Sequence, residues 1–143
     1  MKVLVICQYY WPEPFITSDI CEGLVARGHE ITLITGLPNY GMPNGEIPSE
    51  YANEAYSETI RNGVRVIRLP LAPRKSGSIN RIKNYLTFWR NANDFIQPFD
   101  EDHDVVLGLQ FSPVMQVDSG IVYAKKHEKK CFCIATIFGL SVC

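Results

Sequence analysis

KVLVICQYYWPEPFITSDICEGLVARGHEITLIT, residues 2–35, is the stretch on which the fold turns. Residues 2–8 form a continuous apolar run rich in Val and Ile, the pattern of a strand buried on both faces in a parallel sheet. Two prolines, Pro12 and Pro14, then break any regular element. Over 16–27 the period becomes helical, with Ile16, Ile20 and Leu24 on one stripe and Asp19 and Glu22 in the early turns, where acids suit the helix dipole. Gly28 stops that helix, and residues 30–35 are a second buried strand. Strand, helix and strand within this span make a βαβ unit, whose crossover is right-handed.

Working outward, residues 36–54 are rich in Pro, Gly and Asn and carry no period, so they form a long loop of the kind that is usually functional. Residues 56–61 and 64–69 flank Asn62-Gly63, a hairpin turn signal. A helix is predicted over 80–96, a buried strand over 104–109, a helix over 115–126 and a strand over 131–137. The alternation predicts an α/β class: a Rossmann-like, doubly wound, mainly parallel sheet with an inserted β-hairpin. Length fits one domain over 1–143, and a hydrophobic fraction of 46% suffices for a real core.

Composition excludes several functions. A formal net charge of −1 gives no reason to expect nucleic acid. No G-x-G-x-x-G follows the first strand, which argues against a dinucleotide-binding protein. The cysteines (7, 21, 131, 133 and 143) are odd in number and contain no C-x-x-C pair, so reduced, mostly buried thiols are expected. The histidines (His29, His103 and His127) are too scattered for a metal site, and no cofactor is expected. The opening apolar run is too short for a signal peptide or a membrane span, so the expected location is cytoplasmic.

Ligands of a doubly wound sheet bind outside the carboxyl ends of its strands. Three loops leave such ends and supply the candidate binding residues. They are Trp11, Glu13, Pro14 and Phe15 in the first, Asn39 and Tyr40 in the second, and Gln110 and Ser112 in the third. The first loop precedes a helix N-terminus, where free amides can meet an anion such as a diphosphate. Pro12 and Pro14 have a plain structural role as well. For Glu13 and the aromatics beside it two readings stand: they hold a sugar ring, or Trp11 packs on the long loop and Glu13 is solvated. Asp19 and Asp118 are read as helix-start residues in preference to catalytic bases.

Charge is distributed in blocks. Residues 1–60 hold eight acids against Lys2 and Arg27, whereas residues 61–93 hold eight Lys or Arg and no acid. Within and just after that basic stretch Ile79, Ile82, Tyr85, Leu86, Trp89, Phe95 and Ile96 recur at helical spacing. Such a stripe is most often core-facing. The alternative is a helix lying in an anionic membrane interface, with Arg74, Lys75, Arg81, Lys83, Trp89 and Arg90 as the docking candidates.

In their order, Trp11-Pro-Glu-Pro14, Gly28-His-Glu30, Thr35-Gly-Leu-Pro-Asn-Tyr40, the Asn62–Arg68 hairpin segment and Ser112-Pro113 resemble the N-terminal domain of glycosyltransferase family 4. The branch they resemble builds bacterial surface polysaccharides, including fucosamine and colanic-acid transferases. The resemblance covers about residues 1–130. It implies the acceptor-side half of a GT-B fold, which transfers sugar from a nucleotide-sugar to a lipid-linked or saccharide acceptor. It also implies that the donor pocket and its E-x7-E signature lie in a second domain. The chain departs from the family in two places. Pro14-Phe15-Ile16 stands where many relatives have Gly-Gly, and Gln110-Phe111 where many have a His, which leaves the catalytic base unassigned. Residues 131–143 depart from the branch too and read as an aberrant or frameshifted tail, with Ile137, Phe138, Leu140 and Val142 expected to lack cover. The expectation is therefore a chain inactive alone, against two alternatives: a membrane- or precursor-binding module, or a subunit completed in trans.

Overall fold

A computed structural model describes residues 1–52, 56–137 and 140–142. Among the described residues, seven strands and three α-helices follow in the order β1 (Lys2–Ile6), α1 (Thr17–Ala26), β2 (Glu30–Gly36), β3 (Ser57–Arg61), β4 (Val64–Leu69), α2 (Ser78–Ile96), β5 (Val105–Gln110), α3 (Asp118–Lys126), β6 (Lys130–Ile137) and β7 (Leu140–Val142). The strands form one sheet in the spatial order β3-β4-β2-β1-β5-β6-β7. The five central strands are parallel, and β3 and β7 pair antiparallel at the two edges. This is the α/β, Rossmann-like, mainly parallel sheet that the apolar runs demanded.

Alternate residues of β1 divide the core. Val3 and Val5 face α1, in a cluster with Ile31, Leu33, Val66 and Cys21. Leu4 and Ile6 face α2 and α3, in a cluster with Phe88, Ile96, Val106 and Tyr123. Close approach of α3 to the sheet depends on glycine: a Cβ on Gly120 would lie 2.9 Å from Ile6 Cγ1 and 3.0 Å from Val106 Cγ1.

Three expectations change. The hairpin is not an addition to the sheet, because β4 is itself one of its parallel strands, paired with β2, and only β3 is appended. The helix over 115–126 begins as a 3-10 turn, Val114–Val117, before α3. The tail is not without a sheet: residues 130–137 pair in register with β5, and β7 folds back on β6. Ile137, Leu140 and Val142 thus lie in strands, whereas Phe138 and Cys143 fall outside the described residues. Cys7 and Cys21 are buried, and Cys131 and Cys133 are half-buried.

The stripe expected on α2 divides as well. Its buried residues are Asn84, Phe88, Ala92 and Ile96, at four-residue spacing. Ile79, Ile82, Leu86 and Trp89 are exposed.

Candidate functional site

The carboxyl ends of β1, β2 and β5 release three loops onto one rim of the sheet. The first loop is bound to the second by Glu13. This side chain is only 2% exposed, and its Oε2 accepts the backbone N–H of Asn39 (3.2 Å) and of Tyr40 (2.8 Å). Its Oε1 is buried with no hydrogen-bond partner among the described residues. Burial pushes the carboxyl pKa up to about 7, against the two amides and the Arg68 guanidinium, which favour the carboxylate. Of the two readings of Glu13, solvation is therefore excluded. Its place is beneath the rim, tying loops together.

Aromatic rings join all three loops. Tyr9 stacks on Phe15, with centroids 4.3 Å apart and planes 10° from parallel. Tyr40 meets both rings edge-on, and so does Phe111 of the third loop, 5.0 Å from Phe15. Such offset and edge contacts are the favoured aromatic geometries. The Arg74 guanidinium closes the cluster: it donates to Tyr9 Oη (3.3 Å) and lies 4.9 Å from the Tyr40 ring centroid. Arg74, a docking candidate from the sequence, is thus half-buried and turned toward the rim.

A polar floor lies below. Gln8 Nε2 donates to Asn84 Oδ1 (2.8 Å), and Asn84 Nδ2 donates to Asn39 Oδ1 (3.1 Å) and to the carbonyl of Ala72 (2.7 Å). Gln8, Asn39 and Asn84 are fully buried, and Gln8 Oε1 and Thr35 Oγ1 find no partner there. A buried polar network of this kind fixes the loops above it in one arrangement.

The predicted residues separate into groups. Glu13, Phe15, Asn39 and Tyr40 meet. Gln110 is half-buried at the end of β5. Ser112 is exposed and its carbonyl accepts from Gln116 Nε2. Pro14 is exposed beside the cluster. Trp11 turns away, its ring 4.2 Å beneath the Arg61 guanidinium, and lines a separate groove of about 470 Å³ with Tyr51, Thr59 and Arg68. Two of the rim prolines, Pro12 and Pro113, follow cis peptide bonds.

Gln8 and Asn84 are not candidate site residues of the sequence; Thr35, Arg68 and Phe111 stand there only within motifs, and Arg74 only as a docking candidate. Asn84 alone had a usable signal, as the polar member of an otherwise apolar four-residue period. The opposite end of the sheet holds a cavity of about 520 Å³ lined by Lys2, His29, Arg65, Asp102 and His103. Its charges are largely committed, Arg65 to Glu58 and Glu101, and Asp102 to Lys129. His103 lies there, at the far end from the rim, as its position before β5 required. Asp19 and Asp118 stand in the first turns of α1 and α3 without a side-chain capping bond, and Asp118 accepts instead from Trp89 Nε1 (2.8 Å). Among the described residues no group of three or more His, Cys, Asp and Glu could hold a metal ion.

No family model matches the chain, and no curated protein does. Solved structures do match. Two crystal structures of the C-terminal domain of a hydrogenase from Pyrococcus furiosus are 18% identical to it, with TM-scores of 0.50 and 0.49. Each alignment covers 92% of this chain and 89% of the hydrogenase domain. At that identity the likeness extends to the α/β fold and no further. No helix among the described residues is long and apolar enough to cross a membrane.

Proposed function

We propose that this chain is the acceptor-side domain of a glycosyltransferase of bacterial surface-polysaccharide synthesis, working at the cytoplasmic face of the cell membrane. The observation that carries the reading is the convergence of three strand-end loops into an aromatic cluster over a buried, partly unsatisfied polar floor. Aromatic faces bind the apolar side of a sugar ring, and convergent polar groups fix its orientation. Its place at the strand ends is where doubly wound sheets take ligands. Of the segments that resemble glycosyltransferase family 4, those over residues 11–14, 35–40 and 112–113 lie at this rim.

The parts have distinct roles. Phe15, Tyr40 and Phe111 form the platform on which an acceptor ring rests, and buried Tyr9 supports them from beneath. Glu13 is a positioning residue, because its carboxyl is buried and holds the Asn39–Tyr40 backbone against the first loop. Arg74 supplies a cation at the mouth, suited to a diphosphate link between sugar and lipid. A nucleotide-sugar is bound by a second domain, and the chain alone turns nothing over.

Titration calorimetry with a short-chain prenyl-diphosphate saccharide and, separately, with UDP- and GDP-sugars tests this. Binding of the former, weakened about tenfold or more by Arg74→Gln, with no uptake of the latter, is expected. Turnover of a nucleotide-sugar by this chain, or no binding of any prenyl-diphosphate saccharide, would contradict it.

A further inference from the structure

The β3–β4 hairpin has one face that α1 covers only in part. Side chains alternate along a strand, and the antiparallel register sets Ser57 beside Arg68, Thr59 beside Val66 and Arg61 beside Val64. These residues share the face on which Val64 and Val66 join the cluster beneath α1. At the hairpin turn the helix lies close, since a Cβ on Gly63 would fall 2.6 Å from Val25 Cγ1. Farther along, Thr59 stays exposed on the edge strand. The space left there is the groove of about 470 Å³, walled by Tyr10, Trp11, Glu50 and Tyr51. Its size lies within the roughly 300–1,000 Å³ of small-molecule sites.

The walls are aromatic and the polar groups are held in place. Trp11 sets one face of its ring against the Arg61 guanidinium and keeps 45% of its surface exposed. Arg61 is also paired with Glu22, which accepts from Tyr10 Oη (3.2 Å). Arg68 is only 4% exposed and donates to the carbonyls of Gly36 and Trp11. Its guanidinium lies 5.3 Å from the Tyr51 ring centroid and 5.8 Å from that of Tyr10. The charges balance: Glu22 offsets Arg61, and the lining holds Glu50 as well as Arg68. An anionic ligand therefore gains no excess of positive charge here, whereas a neutral one rich in hydroxyls meets donors and acceptors together.

We infer that this groove binds a neutral saccharide, in a site separate from the rim. The exposed face of Trp11 takes the apolar side of a sugar ring. Glu50 accepts from the sugar hydroxyls, Arg61 donates to them, and Ser57 and Thr59 can do both. Rim and groove diverge within one loop, for Tyr9 stacks on Phe15 while Trp11 turns away to the hairpin. The inference goes beyond the proposed transfer, because no donor, lipid or diphosphate enters it.

An array of neutral and acidic oligosaccharides probed with the whole chain tests it, followed by fluorescence titration of Trp89→Phe, in which Trp11 is the remaining indole. Neutral oligosaccharides are expected to bind in preference to acidic ones and to shift the Trp11 emission to the blue. Trp11→Ala lowers the affinity about tenfold or more. Thr59→Arg fills the groove from an exposed position and abolishes the emission shift, while near-ultraviolet dichroism stays unchanged. Binding of a prenyl-diphosphate saccharide at the rim survives Thr59→Arg, so the two sites are separable. Three results overturn the proposal: no neutral oligosaccharide bound, tighter binding of acidic ones, or neutral binding that the folded Thr59→Arg variant retains in full.

Discussion

Glu13 links local chemistry to stability in a way that can be measured. A carboxyl with a native pKa of about 7 and an ordinary value of 4.5 binds more protons in the folded chain between those limits. Stability contributed by the protonated form is therefore present at low pH and is lost as pH rises through that window. The full effect is about 3 kcal/mol. Glu13→Gln keeps an oxygen for the Asn39 and Tyr40 amides and removes the titration. Denaturant unfolding at a series of pH values should show the wild type losing about 3 kcal/mol relative to this variant between pH 4.5 and 8. Parallel curves would mean that the carboxyl is ionised throughout. His103 acts in the opposite sense. Burial lowers its pKa from the ordinary 6.5, so its contribution is present above pH 6.5 and is lost as pH falls through the native value. Proton NMR of the His103 ring should show a midpoint below that of free histidine, and a midpoint at or above 6.5 would contradict the packing between Phe99 and Tyr123.

At the scale of elements, α2 and α3 carry the tests. Gly120→Ala forces a Cβ against Ile6 and Val106, and overpacking of that kind costs about 1–3 kcal/mol. The urea midpoint should fall accordingly, and an unchanged midpoint would mean that α3 can lift from the sheet freely. Asn84→Leu breaks the ties to Gln8, Asn39 and Ala72 at once, leaves their polar atoms buried, and costs about 2 kcal/mol or more. Amide exchange of residues 37–40 should quicken with it, whereas unaffected exchange would remove Asn84 from the rim. Most elements were legible in the sequence because their signals are local. Val–Ile runs marked β1, β2 and β5, and Asn62-Gly63 marked the hairpin turn. The position of β4 was not legible, since insertion beside β2 is a long-range pairing that no local pattern encodes. Nor was the division of α2, for Ile82 and Phe88 are equally apolar and only the sheet's position says which is covered. Glu13 was found by its loop. Its burial was not, because the amides that compensate it belong to residues 39 and 40.

At the scale of the molecule, one face of the sheet carries α2 and α3, and the other carries α1 alone. Buried polar atoms concentrate under the carboxyl-end rim, and the exposed apolar surface of α2 begins beside it. The opposite end is a set of paired charges, with Arg65 held between Glu58 and Glu101. This polarity is what the proposed acceptor site rests on: the carboxyl-end rim gathers aromatic rings and buried polar groups, and the opposite end gathers paired charges around a cavity of about 520 Å³. Backbone amide NMR of the chain titrated with a short-chain prenyl-diphosphate saccharide tests it most directly. The account predicts shifts concentrated in residues 8–15, 37–40 and 110–112, with the basal residues around Lys2, His29 and Asp102 unmoved. Shifts centred on that basal cavity, or none at any residue, would contradict it.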